Sequence, residues 1–74
     1  MKLYKTSDLY LAAYIKTLGK SLSGTERKGR KVYFCFYNVS EAIILSFYNN
    51  AMIGVTEYKD SLQNLKNLLY KTGV

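Results

Sequence analysis

The sequence predicts a small α+β domain of two layers, ordered helix, β-hairpin, helix, helix, with a two-stranded antiparallel ribbon packed on helices. Three observations carry that prediction. The run from Val32 to Tyr37 is dense in β-branched and aromatic residues and follows a turn signal at Gly29. Three segments with helical apolar spacing surround it, each bounded by polar or glycine start and stop residues. A two-stranded ribbon is not stable alone, so the face carrying Phe34 and Phe36 must be covered by helices. The first and third helices are expected on one side of the hairpin.

The first helix spans Leu9 to Leu18, with Thr6 or Ser7 offering an N-cap hydroxyl and Asp8 at the positive end of the helix dipole. Leu11, Ile15 and Leu18 form one stripe with Tyr14 beside them, and Ala12 and Ala13 permit close approach of a neighbour. Gly19 stands where the left-handed stop residue of a helix belongs.

Residues 20–37 read as the hairpin. A two-residue loop at Lys28 and Gly29 would pair Leu22 with Cys35, whose side chain faces away from Phe34 and Phe36. A three-residue loop of Arg27, Lys28 and Gly29 pairs Leu22 with Phe34 and Glu26 with Arg30, and supplies positive φ at Gly29. The second register is preferred. It turns Leu22, Val32, Phe34 and Phe36 inward and leaves Ser21, Ser23, Thr25, Lys31, Tyr33, Cys35 and Tyr37 outward.

Ser40 and Glu41 open the second helix, which stops at Asn49 or Asn50. Its expected apolar stripe is Ile44, Phe47 and Tyr48, with Ile43 or Ala51 alongside. After a short link containing Gly54, Thr56 is expected to cap the third helix. Tyr58, Leu62, Leu65 and Leu69 share one face of that helix, and Gly73 ends it.

Length and composition narrow the function. Seventy-four residues make one domain, 1–74, that buries about 60% of its chain surface. With 49% apolar and 22% charged residues the composition is globular rather than disordered. No apolar run reaches the roughly 18 residues of a membrane span, and the N-terminus lacks a secretory layout. The one cysteine fits a reducing compartment, so a cytoplasmic location is expected. Histidine is absent, which excludes His-based triads and His/Cys metal sites, and no phosphate-cradling glycine loop is present. No metal, cofactor or enzymatic activity is expected. A tyrosine nucleophile would need surrounding arginines and an acid, yet the only arginines, Arg27 and Arg30, lie in one loop.

Charge is the strongest feature. Eleven Lys and Arg against five acids give +6, and Arg27, Lys28, Arg30 and Lys31 fall within five positions at the hairpin tip. Such a cluster attracts phosphate backbones by counterion release, and Tyr33 and Tyr37 just behind it can stack bases. The plainer reading of the cations is a solvated turn guarding an aggregation-prone strand. For the tyrosines it is β propensity with partial burial or a dimer contact. Cys35 lacks a base partner and reads as inert.

The chain also resembles a known family. The opening KLYKTSDLYLAAYIKTLG, the strand VYFCF and the segment SFYNNAMIGVTEYKDSLQNLKNLLY carry the likeness. Within them lie Lys5, Thr6, Ser7, Asp8, Leu11, Ala12, Ala13, Gly19, Phe34, Phe36, Tyr48, Asn49, Val55, Tyr58, Leu62, Leu65 and Lys66. The pattern resembles small bacterial and phage-borne proteins catalogued as a domain of unknown function. The resemblance implies a phage or mobile-element neighbourhood and no particular activity. The expected function is therefore a non-enzymatic module that contacts DNA or RNA through the hairpin tip, using Arg27, Lys28, Arg30 and Lys31 for charge and Tyr33 and Tyr37 for stacking. The alternative is a protein–protein module, such as an inhibitor or accessory subunit, using the outer hairpin face or the second helix. A homodimer closing the ribbon's free edge is compatible with both.

Overall fold

The computed structural model describes residues 3–49 and 52–71. The elements run β1 (Leu3–Thr6), α1 (Leu9–Thr17), β2 (Leu22–Lys28), β3 (Lys31–Tyr37), α2 (Glu41–Tyr48) and α3 (Val55–Lys71). The α+β class and the helices match the sequence reading. The ribbon, however, is a three-stranded antiparallel sheet of order β1-β3-β2. The added strand β1 pairs Tyr4 with Phe36 and Thr6 with Phe34, so the aromatic strand β3 lies in the centre with both neighbours hydrogen-bonded to it. Four residues form this strand because β3 offers a ready edge, not because the segment is strongly β-forming by itself.

Helix α1 is the hub of the core. Ala12, Ala13, Ile15, Leu11 and Tyr14 are buried against Phe34 and Phe36 of the sheet and Leu65 of α3. The small alanines allow α3 to approach closely, and the contact carries a polar relay. Thr17 Oγ1 lies 2.7 Å from the Ala13 carbonyl and 2.9 Å from Ser61 Oγ, which satisfies the buried Ser61. Tyr58, Leu62 and Leu69 flank the same core as expected, with Leu68 added. All three helices therefore cover one side of the sheet. On β1 the alternation is plain: Tyr4 and Thr6 turn inward while Leu3 and Lys5 stay exposed.

The caps explain the helix ends. Asp8, not Thr6 or Ser7, is the N-cap of α1, its carboxylate accepting from the backbone N–H of Tyr10 at 2.9 Å and Leu11 at 3.2 Å. Thr6 Oγ1 instead accepts from the Asp8 N–H at 3.1 Å. At the other end Gly19 adopts φ +88°, its N–H donating to the Lys16 carbonyl, and the Lys20 N–H reaches the Ile15 carbonyl. That pair of bonds is the Schellman stop. Ser40 caps α2 as expected and Asn49 closes it. Helix α3 begins one residue before Thr56, with the Tyr58 N–H donating to the Gly54 carbonyl at 3.0 Å, so Thr56 sits inside the first turn. The expectations for Asn50, Ala51 and Gly73 fall outside the described residues.

Three packing expectations change. Leu18, expected on the apolar stripe of α1, is its C-cap and 45% exposed. In α2 the core-facing residues are Ile43 and Phe47, the latter 5.4 Å from the Tyr14 ring between centroids, while Tyr48 is 64% exposed. Ser46 joins this contact through a 2.8 Å hydrogen bond with the Tyr14 hydroxyl. The hairpin register also differs from both alternatives. Lys28 pairs with Lys31, leaving Gly29 and Arg30 as a two-residue turn with positive φ at Gly29, the first central position, as in a type II′ turn. A bulge at Ser23 then shifts the pairing so that Leu22 meets Phe36 and still faces inward. Thr25 consequently moves to the inner face, opposite Phe34, and Glu26 to the outer, opposite Tyr33; Glu26 does not pair with Arg30.

Candidate nucleic-acid interface

The uncovered face of the sheet is built by strand alternation. From the central strand β3 it receives Lys31, Tyr33, Cys35 and Tyr37, because Val32, Phe34 and Phe36 are committed to the core. From β1 come Leu3 and Lys5, the partners of Tyr37 and Cys35. From β2 come Gly24, Glu26 and Lys28, the partners of Cys35, Tyr33 and Lys31. Tyr33 and Tyr37 are half-buried. Ser23 Oγ donates to the Tyr37 hydroxyl at 3.2 Å.

The four tip cations do not share one direction. Lys28 and Lys31 stand side by side on the open face. Arg27, opposite Val32, emerges on the helical side, and Arg30 occupies the turn between them. All four are exposed. Arg27 Nε donates to the Gly29 carbonyl at 3.1 Å, folding that side chain back over the turn. Among the described residues, only Lys28 of the four forms an ion pair, 3.7 Å from Glu26.

Lys5, missed in the sequence because β1 was missed, completes the face. Its ammonium meets the Glu26 carboxylate at 2.6 Å, and the pair joins the two edge strands across β3. Lys5 is the register partner of Cys35 and Glu26 that of Tyr33, so the bridge passes over this stretch of the central strand. Cys35 is only 7% exposed although it faces away from the helices. The hydrogen bond and charge of Lys5 hold Glu26 below the usual carboxylate range, and the same bond raises Lys5 above the usual lysine range. The sequence Leu3-Tyr4-Lys5-Thr6 carries no alternation of apolar and polar residues that would mark it as a strand, since the polar Thr6 is buried and the apolar Leu3 exposed.

A cavity of about 260 Å³ lies under the tip, lined by Ser7, Leu9, Arg30, Lys31, Val32, Phe34 and Leu69. It is smaller than the pockets of roughly 300–1,000 Å³ that enclose drug-sized ligands. Among the described residues no group of three or more acids or cysteines is placed to hold a metal ion. Burial, followed by Tyr48 and Asp8, pushes the Tyr4 phenol above its ordinary range, and burial followed by Asp8 and Tyr10 does so for Tyr58. Among the described residues no helix is long and apolar enough to cross a membrane.

Fold and face together define a small open-faced α+β domain, with a helical layer behind a three-stranded sheet. The chain belongs to the family described as Domain of unknown function (DUF5659), whose model matches residues 1–71. Neither a curated protein nor a solved structure matches it.

Proposed function

We propose that this protein is a non-enzymatic binding module that associates with nucleic acid through the open sheet face and the cationic turn. The observation that carries this reading is the uneven net charge of the two layers. Lys5, Arg27, Lys28, Arg30 and Lys31 gather on the sheet and its turn with Glu26 as the one acid among them. The other four acids, Asp8, Glu41, Glu57 and Asp60, all belong to the helices or their caps, where Lys16, Lys59, Lys66 and Lys71 balance them. A surface so divided presents a positive field on one side, which suits a phosphate backbone. Tyrosines on the same face add sequence-tolerant stacking platforms. A phage or mobile-element setting rests on the family resemblance, and a cytoplasmic one on there being a single cysteine, without a partner for an internal disulfide.

Fluorescence polarisation with labelled oligonucleotides tests the reading. Binding should weaken steeply as salt rises, and reversing Arg27, Lys28, Arg30 and Lys31 to Glu should abolish it. No binding at low salt removes it.

A second reading, a protein–protein module, is favoured by one specific feature. Leu45 and Tyr48 of α2 and Met52 in the following link are 54%, 64% and 98% exposed. Recovery of one stoichiometric protein, insensitive to moderate salt and lost on Leu45→Asp, would favour that reading. The free edge at β2 is a poorer surface for a second copy, because its bulge and its Glu26-Arg27-Lys28 charges guard it.

A further inference from the structure

We infer that the open face takes single-stranded rather than duplex nucleic acid, with bases on Tyr33 and Tyr37 and a phosphate between them taking the position of the Glu26 carboxylate. This rests on the nucleic-acid reading above and names its substrate class. Tyr33 and Tyr37 lie four residues apart on one strand and one face, so their attachment points are about 13 Å apart at 3.3 Å per residue. Stacked neighbours within a duplex strand are only about 3.4 Å apart. Two bases resting on the two tyrosines therefore cannot be stacked neighbours in a helix. The strand that serves both platforms is splayed, its bases freed from pairing, as sheet-bound single strands are.

The space between the platforms is also chemically specified. One carboxylate oxygen of Glu26 meets Lys5 from β1, at 2.6 Å, and the other lies 3.7 Å from Lys28 of β2. Two ammonium groups thus converge on a single anion, one from each side of the central strand. All three side chains are solvent-accessible, at 44%, 36% and 69% for Lys5, Glu26 and Lys28, so the arrangement opens without disturbing the core. A phosphodiester that crosses β3 between the tyrosines meets the same two ammonium groups and exchanges for the carboxylate. Glu26 then acts as an internal competitor that keeps the face from holding anions of low charge. Tyr33 and Tyr37 supply what an isolated phosphate lacks.

The test uses the full chain and three probes: oligothymidine and oligouridine of about eight nucleotides, a length within the range one small sheet domain covers, and a duplex of mixed sequence. The expected result is single-strand binding at least tenfold tighter than duplex binding, as two stacking contacts of roughly 5- to 150-fold each allow. The oligothymidine and oligouridine arms tell whether DNA, RNA or both are accepted. Tyr33→Leu and Tyr37→Leu, which keep apolar bulk in the strand, should each weaken the single-strand complex by at least fivefold, whereas Tyr33→Phe and Tyr37→Phe should retain it. Circular dichroism establishes that each variant is folded. Glu26→Gln should tighten binding by about threefold, the effect of removing one charge roughly 6 Å away in water. Glu41→Gln, which removes the same charge from the helical layer, should not. Duplex binding equal to or tighter than single-strand binding, or leucine variants that bind like the parent, overturns the single-strand inference and leaves the broader reading standing. Absence of binding to all three probes at low salt overturns both.

Discussion

Consider replacing Arg30 by Gln and following the salt dependence of oligonucleotide binding. Arg30 sits in the turn, exposed, and neither it nor Lys31 has a carboxylate partner among the described residues. Each can therefore give a whole charge to a phosphate. At the upper limit of one phosphate contact from each of the four tip cations, a single strand gives a log–log salt slope of about −2.8, which is roughly a 50-fold loss of affinity between about 50 and 200 mM salt. Arg30→Gln or Lys31→Gln should bring the slope to about −2.1 and that loss to roughly 18-fold. Lys28→Gln should change the slope less, because the Lys28 ammonium is already 3.7 Å from Glu26. Arg27→Gln should also change it less, since Arg27 projects on the helical side and its Nε is bonded to the Gly29 carbonyl. Stability should stay within about 0.5 kcal/mol throughout, as these are exposed side chains. Polarisation titrations at four or five salt concentrations decide the matter. A parent slope near zero, or four variants indistinguishable from the parent, would refute the reasoning.

Other expectations concern the scaffold. Leu65→Ala removes a side chain only 1% exposed at the junction of α1 and α3, and should cost about 3 kcal/mol. For 74 residues that corresponds to a Tm lowered by roughly 15–20 °C in a thermal melt. A fall below about 5 °C would mean that α3 is not docked as described. Asp8→Ala should cost about 1 kcal/mol by removing the carboxylate that accepts from two backbone N–H groups, and Asp8→Asn markedly less; equal losses would show that the cap is not what matters. The Lys5–Glu26 bridge has a signed pH dependence. Glu26 titrates lower in the folded chain than when unfolded, so its contribution is present above the ordinary glutamate value and fades as the pH falls through the lowered one. Lys5 is raised, so its contribution persists through neutral pH and fades only above the ordinary lysine value. The stability gap between the parent and Glu26→Gln should therefore close in acid, and a gap that widens there would contradict the bridge.

Much of this architecture was legible because it is written in local chemistry. Gly19 and Ser40 end and begin helices through backbone geometry and capping bonds that need no tertiary partner. The inward set Val32, Phe34 and Phe36 was readable from alternation alone, and it survives any change of register in the partner strand. What was hidden depended on distant partners. Leu3–Thr6 is a strand only because β3 has an edge to offer it, so Lys5 could not be placed beside Cys35. Gly29 fits both a three-residue loop and a type II′ turn, and the bulge at Ser23 restores Leu22 to the core in a way that no turn rule anticipates. In α2, Ile43, Ile44, Leu45, Phe47 and Tyr48 are apolar nearly all round, so periodicity does not choose a face; the Tyr14 ring and hydroxyl do. The cluster of cations was legible as a cluster, but not as side chains divided between the open face, the turn and the helical side.

The most direct experiment is a titration of the ¹⁵N-labelled chain with a short oligothymidine, followed by amide chemical shifts. Shifts concentrated at Lys5, Tyr33, Cys35 and Tyr37 and around the Gly29–Arg30 turn, with α2 and α3 quiet, are what binding to the open sheet requires. Shifts confined to α2 and the Met52 link, or none at saturating oligonucleotide, would contradict it.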